Sequence, residues 1–427
     1  MITITAVALA VFFVGQAPQA PPSISSYDRG ASLTMLHHVK ADLKNNYYDK
    51  TFRGMDVEAV FDEAEKNLKN ATSVNAAVAV IAEVLMRLDD SHTTFVPPDR
   101  KTQVDYGWFA TMVGDEPYVA TVVAGSDAEK KGLAPGDRIL AWNRYEVSRK
   151  NLWQINYLYR FVRPQQLQRV LVRKPDGTER AYDIASKVEV RGRMDMDDLF
   201  NLIVQSLSVT DNREVTVGDT FLWRYTSFLD PDEVDRVMKK AKKSKSLVID
   251  LRGNGGGNVE ALRKLVSQVF DRDIQVAVEK SRKGDKAMVA KGKKDAFTGP
   301  LTVLVDSGSG SASEIFARVV QLEKRGAVIG DRTAGAVMTA QIFPHTVGID
   351  ALAFFATSIT VGDVRMSDGA SLEHVGVTPD EIALPTAADL AGRRDPILSK
   401  ALAAFGAQVS AEQAGGLYRV VQSRSPQ

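Results

Sequence analysis

The chain has 427 residues, more than one hydrophobic core usually supports, and its 44% hydrophobic and 25% charged residues are an ordinary globular mixture. Two or three domains are therefore expected, and a disordered or membrane-embedded chain is excluded. A formal net charge of +1 argues against nucleic acid as a general partner, and the absence of cysteine rules out thiol catalysis, disulfides and Cys-ligated zinc.

Residues 2–15 are almost wholly apolar. The run is shorter than the roughly 18 residues a membrane-spanning helix needs and has the form of a signal-peptide core ending near Ala17 or Ala20. Residues 1–20 are accordingly assigned as a signal peptide, with export to a periplasm or the medium and no stable membrane span after its removal. A Pro/Ser linker follows.

Over residues 27–100, Leu33, Leu36, Val39 and Leu43 recur at helical spacing, as do Val57, Val60, Phe61, Ala64 and Leu68. A third helix is expected from Asn75 to Leu88, breaking at Asp89-Asp-Ser-His-Thr93. This predicts a small helical domain with His92 at a helix C-terminus, where the helix dipole favours imidazolium. Residues 104–190 change to short strands and turns, with a short helix closed by Gly132, a Pro-Gly turn and a strand within Ser126–Asn143.

From about 196 to 395 the pattern is α/β. Phe221–Tyr225 and Ser246–Leu251 are expected as strands, and Asp232–Lys243 and Val259–Phe270 as helices. Between the second strand and the second helix runs Asp250-Leu-Arg-Gly-Asn-Gly-Gly-Gly-Asn258. Glycines directly after a strand let backbone approach a ligand and expose consecutive N–H groups. The spacing is neither that of a P-loop nor that of a dinucleotide site, so an oxyanion-binding role fits better.

A buried strand over Leu301–Val305 then leads through a Ser/Gly turn into a helix at Ser311 that carries Ile315, Phe316, Val319 and Val320 on one face. A helix N-terminus aims unpaired N–H groups at whatever negative charge collects there, which suits a nucleophile. Ser311-Ala-Ser-Glu314 is equally a capping box, with Ser311 or Ser313 as the cap. Strands such as Ala351–Ala356 precede Glu373, and Asp395–Phe405 is expected as a surface helix within a C-terminal segment, 396–427. No His-x-x-x-His or carboxylate cluster suggests a metal.

The order of these pieces resembles the tail-specific, or carboxyl-terminal processing, serine protease family. The matching marks are Leu88-Asp-Asp-Ser-His-Thr-Thr-Phe95, Leu251-Arg-Gly-Asn-Gly-Gly-Gly257, Ser309-Gly-Ser-Ala-Ser-Glu314, Gly330-Asp-Arg-Thr-Ala-Gly335 and Gly376-Val-Thr-Pro-Asp380. Ser126–Asn143 resembles a PDZ domain, whose carboxylate-binding loop would fall at Gly107, Trp108, Phe109 and Ala110. The resemblance implies an α/β (α+β overall) architecture: a crotonase-like catalytic domain, an N-terminal helical domain and an inserted PDZ domain. It also implies nucleophile Ser311 and an oxyanion hole made by the backbone N–H of Ala312 with that of Gly256 or Gly257. The expected activity is endopeptidase cleavage of polypeptides captured by their C-termini, without a cofactor.

One departure decides the branch. Where the common branch places a catalytic Lys this chain has Ala336, and no Lys occurs between Lys324 and Lys400. A serine without a base is a poor nucleophile. The tricorn-type branch uses Ser-His-Ser-Glu instead, which matches Ser91, His92, Ser311 and Glu373, and implies a Ser311 to His92 separation of about 3 Å, or somewhat looser without substrate. His374 is the rival base; His37, His38 and His345 read as surface, interdomain or strand-edge residues. A catalytically silent peptide binder on the same scaffold is the alternative, with a thioester-acting crotonase-like enzyme more remote.

Overall fold

Every residue of the strands Ser246–Asp250 and Leu301–Val305 is buried, as befits parallel strands covered on both faces. The structure, a computed structural model, describes residues 24–98, 102–190, 212–348 and 353–418. The assigned signal peptide, the junction before residue 212 and the chain beyond 418 lie outside them.

The two strands lie at the centre of a six-stranded sheet, in the order 381–382, 327–330, 301–305, 246–250, 220–224 and 213–217. It is parallel except for its last pair. The amphipathic helices Pro231–Ala241, Val259–Val269 and Ala312–Leu322 cover one face, where Val237, Leu265 and Phe316 share a core with Leu247, Ile249 and Val303. On the other face Leu222, Val248, Leu304 and Ile329 pack against Ile397, Leu398, Ala401 and Leu402 of the helix Pro396–Ala403. The expected surface helix thus keeps Lys400 and Ala403 in solvent and turns its other side onto the sheet. Its apolar stripe covers a sheet face that would otherwise meet water, and removing such area is worth about 25 cal/mol per Å². Arg252, at the mouth of the Gly-rich loop, fixes this arrangement with bidentate hydrogen bonds to buried Asp250 and to Asp395, the cap of that helix.

A second sheet is antiparallel and built on a long hairpin, Met338–Val347 with Ala353–Met366, joined by Ile274–Ser281, Gly284–Ala290 and Thr94–Val96. The short strand Thr94–Val96 pairs with Ala356–Ser358 and so draws the preceding turn, Ser91-His92, onto the hairpin side of the molecule. Before it, helices Ser26–Asn46, Val57–Lys69 and Val74–Met86 bury Leu36, Val39, Leu43, Phe61, Leu68, Ile81 and Leu85. His38 packs against His345, with ring centroids 4.6 Å apart, and His345 bonds Asp42 at 2.7 Å from the outer strand of the hairpin.

Residues 108–185 form a separate five-stranded antiparallel sheet in the order 108–113, 116–122, 138–142, 167–173 and 179–185. Its core is built from Tyr106, Trp108, Trp142, Tyr159, Val170 and Ile184. The chain enters along 102–105 and leaves along 187–190, which pair antiparallel.

Candidate active site

The loops after the two central strands are stitched together, and this places the Ser311 turn. Asp306 accepts the N–H groups of Gly253 (2.8 Å) and Gly308 (2.9 Å), Ser309 Oγ donates to the Leu251 carbonyl (2.8 Å), and Gly310 N–H donates to the Asn254 carbonyl (2.9 Å). Ser311 follows as the N-cap of the helix Ala312–Leu322, with φ 51° and ψ −115°. A non-glycine residue held there costs on the order of 1–3 kcal/mol and persists only where its surroundings over-determine it. Here Ser311 N–H is shared between the Ala336 carbonyl (2.9 Å) and Glu314 Oε2 (3.1 Å). Glu314 reaches back as a capping box requires, whereas Ser313 Oγ is committed to the Asn254 carbonyl at 2.9 Å.

Glu314 is completely buried and takes three further donors: Thr333 Oγ1 (2.6 Å) and Gly335 N–H (2.8 Å) on Oε1, and Ala336 N–H (2.9 Å) on Oε2. Burial nevertheless pushes its carboxyl up to about 7, against the pull of those donors.

The Gly-rich loop meets the Ser311 turn closely. A Cβ on Gly256 would lie 2.6 Å from Ser311 Cβ and 3.0 Å from Ala312 N, so no side chain fits. Its N–H, however, donates to Asn254 Oδ1 at 2.9 Å. Gly256 is therefore corrected from oxyanion donor to close-packing residue, because its only backbone donor is already engaged. The N–H groups of Gly257 and Ala312 have no backbone acceptor among the described residues.

The second half of the site comes from the turn after the third helix. Ser91 Oγ lies 2.7 Å from His92 Nδ1 and 2.9 Å from Glu373 Oε2, while Ser91 N–H donates to Glu373 Oε1 at 3.0 Å. Since Glu373 also accepts Val337 N–H at 2.9 Å, three donors converge on its carboxylate. The Ser91 hydroxyl hydrogen is then committed to Glu373, so Ser91 Oγ accepts from His92 Nδ1–H and Nε2 is left with the lone pair. Buried Asp90 fixes the turn, accepting His92 N–H (3.0 Å), Thr93 N–H (3.1 Å), Tyr47 O–H (2.9 Å) and Thr360 O–H (2.6 Å). Desolvation holds the His92 pKa below its ordinary value, outweighing the Glu373 and Asp90 charges that would raise it. The dipole-based expectation of imidazolium is corrected accordingly: burial wins over a helix end that lies at Met86, six residues away.

Ser91, His92 and Glu373 are thus assembled with one another, and the adjacent residues Ala336 and Val337 link them to Ser311, the first through Ser311 and Glu314 and the second through Glu373. No hydrogen bond joins Ser311 Oγ to the His92 ring. The rival His374 has its Nε2 2.9 Å from the Asp89 carbonyl and 3.4 Å from Arg53. Two contributors escaped the sequence reading. Asp90 offered only an acidic pair as a signal, and Glu314 was visible as a helix cap but not as an anchor for residues 333–336.

In the five-stranded segment Trp108 is a core residue, 1% exposed and 4.6 Å from the Trp142 ring centroid, which corrects its expected place in a ligand groove. Gly107 N–H is taken by Asp105 Oδ1 at 2.9 Å. Phe109 is 40% exposed, with the Arg160 guanidinium 4.4 Å over its ring. Phe109 and Ala110 lie on an outer strand of their sheet. Further along that strand, Ser307 Oγ donates to the Met112 carbonyl (2.8 Å) and accepts Met112 N–H (3.2 Å). Among the described residues no group of His, Asp and Glu could hold a metal, and no helix is long and apolar enough to cross a membrane.

Residues 222–383 match the pattern of peptidase family S41. The chain is 24% identical over 404 residues to the carboxy-terminal processing protease CtpA of Bacillus subtilis, covering 89% of this chain and 75% of the other. It is 25% identical over 351 residues to the chloroplastic C-terminal processing peptidase of Tetradesmus obliquus, covering 78% and 73%. Among solved structures, mature CPAF complexed with lactacystin matches with a TM-score of 0.64 at 16% identity, over 86% of this chain and 96% of that one. The photosystem II D1 C-terminal processing protease matches with a TM-score of 0.51 at 20% identity, over 84% and 94%.

Proposed function

We propose that this serine peptidase, whose residues 222–383 match peptidase family S41, uses Ser311 as its nucleophile and His92 as the general base. The observation that carries the reading is the hydrogen-bonded chain Glu373–Ser91–His92, which leaves Nε2 as the basic nitrogen in a protein without the family's usual lysine. Ser311 Oγ attacks the scissile carbonyl carbon as its proton passes to His92 Nε2. The oxyanion is received by the N–H groups of Gly257 and Ala312, and the C–N bond breaks as His92 returns the proton to the leaving amine. Water, deprotonated by the same imidazole, then releases the acyl group. Hydrogen bonds between such a nucleophile and base are often looser before substrate arrives.

The arrangement fits a crotonase-like catalytic domain with the helical lead supplying the base and residues 104–190 acting as a PDZ module. An extended peptide would add by backbone pairing to the outer strand before Met112, whose own N–H and carbonyl are taken by Ser307. That strand ends against Ser307, four residues before Ser311, so a chain laid along it is directed toward the nucleophile. Cleavage outside the cytoplasm, after signal removal, completes the reading.

A serine-reactive phosphonate is expected to label Ser311 in the intact protein, to leave Ser311→Ala unlabelled and to react at least about tenfold more slowly with His92→Ala. Equal labelling of all three would discard the assignment. For capture, amidating a peptide's C-terminus is expected to raise KM about tenfold, the value of one charge-assisted contact, with kcat nearly unchanged. Equal KM values would remove the PDZ role and leave the peptidase assignment standing.

A further inference from the structure

We propose that Glu314 is a positioning residue that holds the nucleophile turn in register with the Glu373–Ser91–His92 chain, rather than only a helix cap. The proposal rests on Ser311 being the nucleophile. A cap needs one acceptor for one or two orphan N–H groups. The Glu314 carboxylate instead joins two separate stretches: Ser311 on one side, and Thr333, Gly335 and Ala336 on the other. The next residue, Val337, donates to Glu373. One short piece of backbone therefore carries both halves of the site, and its position relative to Ser311 is set by Glu314 together with the Ser311 N–H to Ala336 carbonyl bond. The same carboxylate accepts the N–H of a serine whose φ of 51° needs external support.

The chemistry of the partners specifies the ionised form. All four are uncharged donors: three backbone N–H groups and the hydroxyl of Thr333, which itself accepts Val377 N–H at 2.6 Å. A protonated carboxyl brings a hydrogen of its own into this ring of donors, so at least one bond is lost and the link between the two stretches slackens. Burial places this change near neutrality, at about 7, above the range to which burial confines His92. By linkage, a carboxyl raised in the folded state contributes stability that is full below its unfolded value and is lost as pH rises through about 7. The turn thus exchanges some stability for the catalytic geometry as Glu314 ionises.

The test uses the full chain and a fluorogenic peptide with a free C-terminus. Glu314→Gln is expected to lower kcat on the order of 10²-fold through misplacement of the turn, with KM within about twofold. It should also remove the kcat limb near pH 7 and leave only the lower limb of His92. A kcat within about threefold of the parent overturns the proposal. Should that variant fail to fold, Thr333 decides. Thr333→Val removes one donor from the carboxylate and is expected to move the upper limb to higher pH by about half a unit or more, while Thr333→Ser leaves it in place. An unmoved limb in Thr333→Val overturns the proposal, since a purely structural role would lower stability without shifting a titration. Failure of the Ser311 assignment is read separately, from phosphonate labelling of the parent protein.

Discussion

His92→Ala is expected to lower kcat by roughly 10³–10⁶-fold at pH 7, as loss of the base does in serine peptidases built on a hydrogen-bonded triad. The effect should be smaller for the two residues that act through the imidazole. Ser91→Ala keeps the imidazole but frees Nδ1, so the ring can adopt the wrong tautomer or turn away, and a loss on the order of 10²-fold is expected. Glu373→Gln leaves one acceptor oxygen, without charge, for Ser91 O–H, Ser91 N–H and Val337 N–H, and should fall between the two. Double variants should lose little more than His92→Ala alone, because groups acting as a unit are not additive. The pH profile supplies a second readout. Burial lowers the His92 pKa, so the ring stays neutral, and competent as a base, below the ordinary value of about 6.5. Its protonation limb lies under that value and disappears in His92→Ala. Steady-state kinetics and single turnovers of a fluorogenic peptide measure all of this, and a His92→Ala rate within about tenfold of the parent would overturn His92 as the base.

The parts of this site that were legible in the sequence are local. The strand, turn and helix around Ser311 follow from an apolar run, a Ser/Gly break and a 3.6-residue stripe, and Phe316, Val319 and Val320 are indeed buried. The pairing of Ser91 with His92 needs only adjacency, and the close approach of the glycine loop was implied by glycines directly after a strand. What the sequence alone could not supply is registration. Ser91 and Glu373 are 282 positions apart, and which backbone N–H the Gly-rich loop leaves free depends on Asn254 turning back on Gly256. Ala336 was legible as a missing lysine but not as the carbonyl that accepts Ser311 N–H. What the C-terminal helix packs against was hidden for a related reason. Ile397, Leu398, Ala401 and Leu402 form a stripe short enough for a surface helix, and only the two-sided burial of Val248 and Leu304 shows that the sheet has a second face to cover. The strand expected at Ala351–Ala356 runs on to Met366 because pairing with Met338–Val347 keeps it extended past Thr357, Ser358 and Thr360.

Gly256→Ala is expected to abolish most activity, with kcat reduced on the order of 10²–10³-fold, the cost of losing an oxyanion donor. The new methyl carbon would sit 2.6 Å from Ser311 Cβ and 3.0 Å from Ala312 N. No flexible side chain yields there, so the Ser311 turn or the glycine loop must move. Either shift displaces Ala312 N–H relative to Gly257 N–H, the two groups proposed to receive the oxyanion. The residue also has φ 102°, and an alanine there adds on the order of 1–3 kcal/mol of strain. Gly253 separates the two effects. It lies in the same loop at φ 71° but has nothing within 4 Å of the position a Cβ would take. Gly253→Ala should therefore lower stability comparably in urea unfolding while keeping kcat within about threefold. Equal kcat losses in the two variants would mean that loop strain, not the approach of Gly256 to Ser311, governs activity. A large loss in Gly256→Ala alone would tie catalysis to the contact between the two loops, and through it to the parallel strands Ser246–Asp250 and Leu301–Val305 that hold those loops side by side.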